Sequence, residues 1–365
     1  MAQVTDDLTK VLEGRDPTRV AITIEAAPGA GPAVRERLTD AGIEYTSVGV
    51  RNKTVFDAVV TRPQLTALRS ERDIATLDHS PTFSPLGAAP PSDGGNFGLA
   101  ASVAAKDLSR RTMGEVMDRM NVREAWDELG NRGEGVRIGM VDTPINEQHP
   151  ALREAVADTA SNAGRGDHGT WVASALVAAP FEVGGGEVYG AAPDADLYAH
   201  GALSGGGASV TEIAEGVSYC IESDCDVINI SFGGAHSSVL ASVIEEAVDA
   251  GILVVSSAGN AGPAPGTVTC PAHHTTTTTV GSVSAADDAP ASFSSRGPGY
   301  GGQAKPDMVA YGGASVNEGG QQIITEVVLG ASADGGTQYL VGTSMASPQA
   351  AGIAALGVAA EEDEP

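Results

Sequence analysis

The chain has 365 residues, of which 42% are hydrophobic and only 4% aromatic, so its core must rest on Ala, Val, Ile and Leu, and its length calls for more than one minimal unit. A formal net charge of −26 excludes a protein that tracks phosphates with clustered Lys and Arg, so nucleic acid is not an expected partner. No apolar run of about 18 residues is present, so no membrane-spanning helix is expected.

The polar, acidic start from Met1 to Asp7 lacks a basic stretch followed by an apolar one; no secretory signal peptide is visible, and an intracellular location is the default. Residues 1–17 read as an N-terminal arm. Residues 18–80 read as a small α+β unit. Arg19–Ile24 alternates as a strand should. Pro32–Ala41 carries Val34, Leu38 and Ala41 at helical spacing and stops at Gly42. Tyr45–Val50 and Thr54–Thr61 are two further strands. Pro63 opens a helix carrying Leu65 and Leu68, and Ile74–Leu77 is a last strand. The resulting βαββαβ order is the split βαβ, ferredoxin-like pattern.

Residues 81–114 read as a linker, punctuated by Pro81, Pro85, Pro90 and Pro91 and rich in Gly, Ala and Ser. From 115 to 358 the character is α/β. Val116, Met120 and Trp126 fit a helix ending at Gly130, and Gly135–Val141 is a β-type run. Strand candidates at Asp196–Ala199, Val227–Ile230 and Ile252–Ser256 are separated by helical patterns at Gly169–Ala178, Val210–Tyr219 and Ser238–Ala250. That alternation implies a parallel sheet with right-handed crossovers. Residues 359–365 read as an acidic tail. The three cysteines do not make a disulfide framework; Cys220 and Cys225 are near enough to pair, and buried thiols, with Cys270, are the alternative. Four lysines (Lys10, Lys53, Lys106, Lys305) against so many carboxylates read as halophilic adaptation to high salt, with a plain acidic surface as the alternative.

Hydrolysing an amide with a serine needs a base for the hydroxyl proton, an orienter for that base and donors for the oxyanion. In a parallel α/β sheet these belong at the carboxyl ends of strands or at adjacent helix starts. Four segments meet that description. Ile138 to Thr143 ends a strand on Asp142. Asp167 to Ala173 places His168 at a helix start. Ile252 to Asn260 runs a strand into small residues and then the Asn260 amide. Gly342 to Pro348 puts Ser344 in the first turn of an apolar helix, where backbone N–H groups suit a developing negative charge.

In their order Asp, His, Asn, Ser these segments resemble the subtilisin-like (subtilase) serine peptidases, whose Asp–His–Ser chain order is a known signature. The resemblance implies a three-layer fold with a mostly parallel central sheet, and a serine endopeptidase acting on extended protein substrates through an acyl-enzyme. Ser344 is then the nucleophile, His168 the base and Asp142 its orienter, with Asn260 and the Ser344 N–H holding the oxyanion. The resemblance also implies substrate-binding positions at Ser204, Gly205 and Gly206, at Ser231, Phe232 and Gly233, and at Ala258 and Gly259. It makes the 18–80 unit a propeptide, an intramolecular inhibitor of a self-processing zymogen. No cofactor is required for the chemistry, structural calcium is common in such proteins, and no residue is assigned as a metal ligand. The alternative is a catalytically silent binding or assembly protein of the same fold.

Four positions depart from the family pattern. Pro144, Trp171, Ser174 and Gln349 stand where Gly, His, Gly and His are usual. Only 21 residues follow Ser344, where the family usually continues with a strand and a helix, so the expectation is either reduced stability or another segment or a partner covering that surface.

Overall fold

The computed structural model describes residues 2–14, 19–86, 104–161, 163–184, 186–203 and 207–362. Its N-terminal unit contains β1 (Gln3–Val4), α1 (Asp6–Gly14), β2 (Val20–Ala26), α2 (Gly31–Asp40), β3 (Tyr45–Val50), β4 (Lys53–Val60), α3 (Arg62–Arg69) and β5 (Ile74–His79). From β2 to β5 this is the βαββαβ order. The sheet runs β1-β5-β2-β4-β3, antiparallel except for the parallel β1–β5 pair. Ile22, Ile24, Phe56 and Leu77 on the sheet meet Val34, Leu38, Leu65 and Leu68 on the helices. Local signals fix the helix ends. Thr61 and Gln64 form a reciprocal capping box at α3, with a proline in its first turn, and Gly42, at φ +63°, follows α2. The stretch expected to be a separate arm belongs here: β1 extends the sheet, and Leu8 of α1 is fully buried in the same core.

After β6 (Ser84–Pro85) and β7 (Ala104–Thr112) come α4 (Met113–Arg119), α5 (Val122–Leu129), β8 (Arg137–Asp142), β9 (Val156–Ala160) and α6 (Asp167–Val177). A hairpin of β10 (Phe181–Val183) and β11 (Gly186–Val188) leads to β12 (Asp196–Gly201), α7 (Val210–Glu222), β13 (Val227–Ile230), β14 (Phe232–Gly233), α8 (Ser238–Asp249), β15 (Leu253–Ser257), β16 (Thr278–Ser282) and β17 (Met308–Ala310). β18 (Ala314–Glu318), β19 (Gln321–Ala331), β20 (Thr337–Leu340) and α9 (Thr343–Glu362) complete the chain. Seven strands form one all-parallel sheet in the order β17-β16-β15-β13-β8-β12-β9. A core including α6 and α9 lies on one face, and a second core including α7 and α8 on the other. Burial on both faces explains why every residue of Val227–Ile230 is buried; its one polar member, Asn229, donates to Ser231 Oγ (2.9 Å) and accepts from Ser347 Oγ (2.7 Å). The chain starts the sheet at β8, lays down the edge strand β9, returns to fill β12 between them, then crosses to β13 on the other side of β8. The carboxyl ends of β8 and β13 therefore flank the switch point where α/β sheets open a crevice.

A separate sheet combines β18, β19 and β20 with β7, which pairs in parallel with β19. The stretch from 81 to 114 expected to be a linker is thus structured at both described ends, as β6 and β7. Three of the four positions that depart from the family pattern meet this second sheet and its approach. Trp171 Nε1 donates to Val328 O (3.2 Å), and Gly330 lies flat on its ring, where a Cβ would come within 2.5 Å. Ser174 Oγ accepts from Ala331 N (3.1 Å). Gln349 clasps the Tyr311 backbone, accepting at 3.2 Å and donating at 2.8 Å. α9 runs on through Glu362, with Ala359 buried, so much of the stretch read as a tail is helical. Cys220, Cys225 and Cys270 are free and buried. Of the described residues, no helix is long and apolar enough to cross a membrane.

Candidate active site

Asp142 is the last residue of β8 and is 1% exposed. A carboxylate there is costly to bury unless it is paired. Its Oδ1 lies 2.7 Å from His168 Nδ1 and also accepts from Thr143 N at 2.6 Å. His168 is the second residue of α6. The next residue must be glycine, because a Cβ at Gly169 would come within 2.3 Å of Thr143 O. Gly169 N donates to Thr143 Oγ1 (2.8 Å), which seats the first turn of α6 on the end of β8. Pro144 keeps this join, its carbonyl accepting from Gly166 N at 2.8 Å. The contact through Nδ1 leaves His168 Nε2 free of Asp142; among the described residues that atom is buried without a hydrogen-bond partner, as is Asp142 Oδ2.

Ser344 lies at the start of α9 and is fully buried. Its Oγ donates to Ser231 O (2.7 Å) and accepts from Leu86 N (3.1 Å), so the hydroxyl is hydrogen-bonded away from His168. Asn260 follows β15. Its Oδ1 accepts from Thr343 N and Thr343 Oγ1, both at 3.0 Å, which aims the amide nitrogen into the cleft. There Asn260 Nδ2 makes a very short contact, donating to Leu86 O.

Leu86 belongs to a segment of the chain itself that lies extended in the cleft. Phe83 and Ala208 exchange two backbone hydrogen bonds of 2.9 Å. On the other side, Pro85 and Ser84 pair with Phe232 and Gly233, and Leu86 N also donates to Ser231 O (3.3 Å). Glycines open the cleft for the side chains. A Cβ on Gly233 would come within 2.8 Å of Leu86 Cδ1, and one on Gly234 within 2.6 Å of Phe83 Cδ1. Phe83 packs edge-on against Phe232, with ring centroids 6.0 Å apart.

The structure joins Asp142 to His168 at the end of β8, and gathers Asn260, Ser344 and Ser231 around Leu86, with Phe232 and Gly233 along the same wall. Ala258 and Gly259 lie beneath it: Gly259 N donates to Thr343 Oγ1 (3.1 Å). Ser204, Gly205 and Gly206 fall outside the described residues. Phe83, Leu86 and Thr343 were missed from sequence. The available signal was Phe83 and Leu86 themselves, large apolar residues bounding a proline in an otherwise small and polar stretch.

A parallel three-layer sheet, with a buried Asp–His pair at a strand end and a serine at the facing helix start, defines a subtilisin-like protein. The chain belongs to the subtilase family, whose profile matches residues 133–363. It is similar to subtilisin E of Bacillus subtilis (strain 168), 34% identical over 243 residues that make up 64% of this chain and 58% of that protein. It is equally similar to subtilisin of Bacillus pumilus, 34% over 243 residues, covering 64% and 80%. Serine protease AprX of Bacillus subtilis (strain 168) is 34% identical over 254 residues, covering 61% and 57%. The chain therefore spans little more than half the length of two of these three relatives.

Proposed function

We propose that this chain is a serine endopeptidase made as a self-processing precursor, and that its own first cut falls between Leu86 and Gly87. The observation that carries the reading is the seat of Leu86. Its carbonyl oxygen receives the Asn260 amide, and its N–H faces both Ser231 O and Ser344 Oγ. That is the position in which a scissile carbonyl is attacked.

The steps follow from the groups present. Ser344 Oγ turns from the Ser231 carbonyl, gives its proton to His168 Nε2 and bonds to the Leu86 carbonyl carbon. The oxyanion is held by Asn260 Nδ2 and by the Ser344 N–H at the start of α9. Asp142 stabilises the charged imidazole through Nδ1. Collapse breaks the bond to Gly87 N, which leaves with the proton from His168, and a Leu86 ester remains on Ser344. Water, deprotonated by His168, then releases the Leu86 carboxylate. The same cleft takes extended protein substrates, with an apolar residue where Leu86 sits and an aromatic one where Phe83 sits. Until it leaves, the 1–86 unit is the enzyme's own inhibitor. The charge of −26 with so few lysines supports a working environment of high salt, so the assay belongs there.

Intact mass over time is the test, for wild type and Ser344→Ala side by side. Wild type should split after Leu86 while Ser344→Ala stays whole. The bond between the Ser344 hydroxyl and Ser231 favours the second reading, a silent binding protein. That reading is adopted if neither chain is cut and a serine-reactive fluorophosphonate fails to label the folded wild type.

A further inference from the structure

We propose that His236, His273 and His274 form a site for one divalent transition metal ion of the zinc type, in the wall behind the substrate cleft. Neither spacing nor order marks these residues in the sequence. His236 lies just past β14, and His273 and His274 lie in the turn after Cys270 and Pro271. Gly234 and Cys270 bring the two segments together, exchanging backbone hydrogen bonds of 3.1 Å in both directions.

One ligand nitrogen from each ring lies within 4.8 Å of the other two, and among the described residues this is the one such group of three His, Cys, Asp or Glu side chains. His236 Nδ1 and His273 Nε2 are 3.0 Å apart. Two imidazole nitrogens on a tetrahedral zinc, with bonds of about 2.0–2.1 Å, stand about 3.3 Å apart, so a shift of a few tenths of an ångström admits the ion. The rings are already held in place. Tyr300 stacks on His236, with centroids 3.8 Å apart and planes 11° from parallel, and His273 is itself buried.

Burial, together with the neighbouring imidazoles, pushes His273 down to about 4 and His274 down to about 3, and burial lowers His236 as well. Burial thus favours the uncharged imidazole, whose lone pair is what binds a metal. An all-nitrogen donor set suits zinc and its neighbours and does not suit calcium or magnesium, which take oxygen. His236 and His274 are half-buried, which leaves a route for the ion and room for water as the fourth ligand. A bound ion would tie the loop after β14 to the 270–274 turn, stiffening the strand that pairs with Ser84 and Pro85.

The test uses the full chain carrying Ser344→Ala, so that it does not depend on proteolysis and stands apart from the proposed function. Metal-stripped protein in high salt is titrated with cobalt(II), followed by visible absorption, and the cobalt is then displaced with zinc. The expected result is one ion per chain, tetrahedral-type cobalt bands that zinc removes, and a zinc-dependent rise in Tm. His236→Phe keeps an aromatic ring on Tyr300 but removes the donor, and should weaken zinc binding on the order of 100-fold. His274→Phe should do the same. The proposal is overturned by the absence of cobalt bands and of a zinc-dependent Tm shift up to about 1 mM. It is equally overturned if both variants bind as wild type does, since the ion would then sit on surface carboxylates.

Discussion

Two small sheets flank the central parallel sheet, and they are attached in opposite ways. The N-terminal sheet, β1 to β5, encloses its own core and meets α7 and α8 from outside, with Val50 and Val55 in the apolar cluster of those helices and two carboxylates at the helix starts. Asp57 and Asp78 accept from the backbone at the starts of α7 and α8, from Thr211 N at 2.8 Å and Ser238 N at 2.7 Å. The second sheet, of β7 and β18 to β20, shares the main core: Val328, Leu329 and Leu340 are packed in one cluster with Trp171, Met345 and the residues of α6. The first is a body set against helix ends, and the second is keyed into the interior. The proposed cut after Leu86 falls between them. It severs the covalent tie of the unit that can leave, and the new N-terminal segment stays anchored by the pairing of β7 with β19. A maturation cut needs that asymmetry.

Breaking the second attachment should have the largest effect. Trp171 is fully buried, spans from α6 to β19 and donates to Val328 O. Trp171→Ala removes the ring on which Gly330 lies and should cost about 3–5 kcal/mol of stability. Denaturant unfolding of Ser344→Ala with and without the second change measures it. A loss below about 1 kcal/mol would mean that this ring does not key the sheet. Next comes the cut itself. Asn260→Ala removes the donor to Leu86 O and leaves both sheets docked, so processing should slow about 10²–10³-fold. That is the range found for loss of an oxyanion donor in subtilisin, a family relative. The change also takes the acceptor from buried Thr343, so Tm should fall modestly. Processing at the wild-type rate would remove Asn260 from the mechanism.

The legible parts of this protein are those whose residues declare their own environment. Asp142 after a buried apolar strand, His168 before a glycine at a helix start and Ser344 before a small-residue helix each combine an element end with a chemical group. The periodicity of 18–80 gives its strands and helices directly, because each has one face to bury. β7 was not legible: Ala104–Thr112 shows no alternation of its own, and its strand form comes from pairing with β19 more than 200 residues later. The 311–340 region is illegible for a related reason: its partners, Trp171 and Ser174, show in the sequence only as departures from the family pattern. They are better understood as the contact surface of that sheet. The histidine cluster was hidden because His236 and His273 are 37 positions apart and meet only through the Gly234–Cys270 pairing.

The smallest effect bears most directly on the attachment that the proposed maturation would have to reverse. Asp78 is fully buried and divides its two oxygens between the two bodies. Oδ1 accepts from Thr5 Oγ1 (2.5 Å) and His79 N (2.8 Å) inside the N-terminal unit, while Oδ2 accepts from Ser238 N (2.7 Å) across the interface. Asp57 does likewise, with Thr23 and Ser80 on one oxygen and Thr211 on the other. Each carboxylate thus places a negative charge on the positive end of a helix dipole. Asp57→Asn removes that charge, and should loosen the cut 1–86 unit by about 1–2 kcal/mol, roughly 10-fold in inhibition. Because Asp57 also serves its own unit, Thr211→Val is the cleaner companion. It removes one hydroxyl from the other side of the interface, which donates to Asp57 and meets Thr46 Oγ1 at 3.0 Å, and it changes no residue of the 1–86 unit; it should loosen binding by about 0.5–1.5 kcal/mol. Both are read as the dissociation constant of the cut unit from the processed enzyme. If neither moves it, the apolar contact of Val50 and Val55 with α7 and α8 holds the unit in place, and the carboxylates only set its orientation.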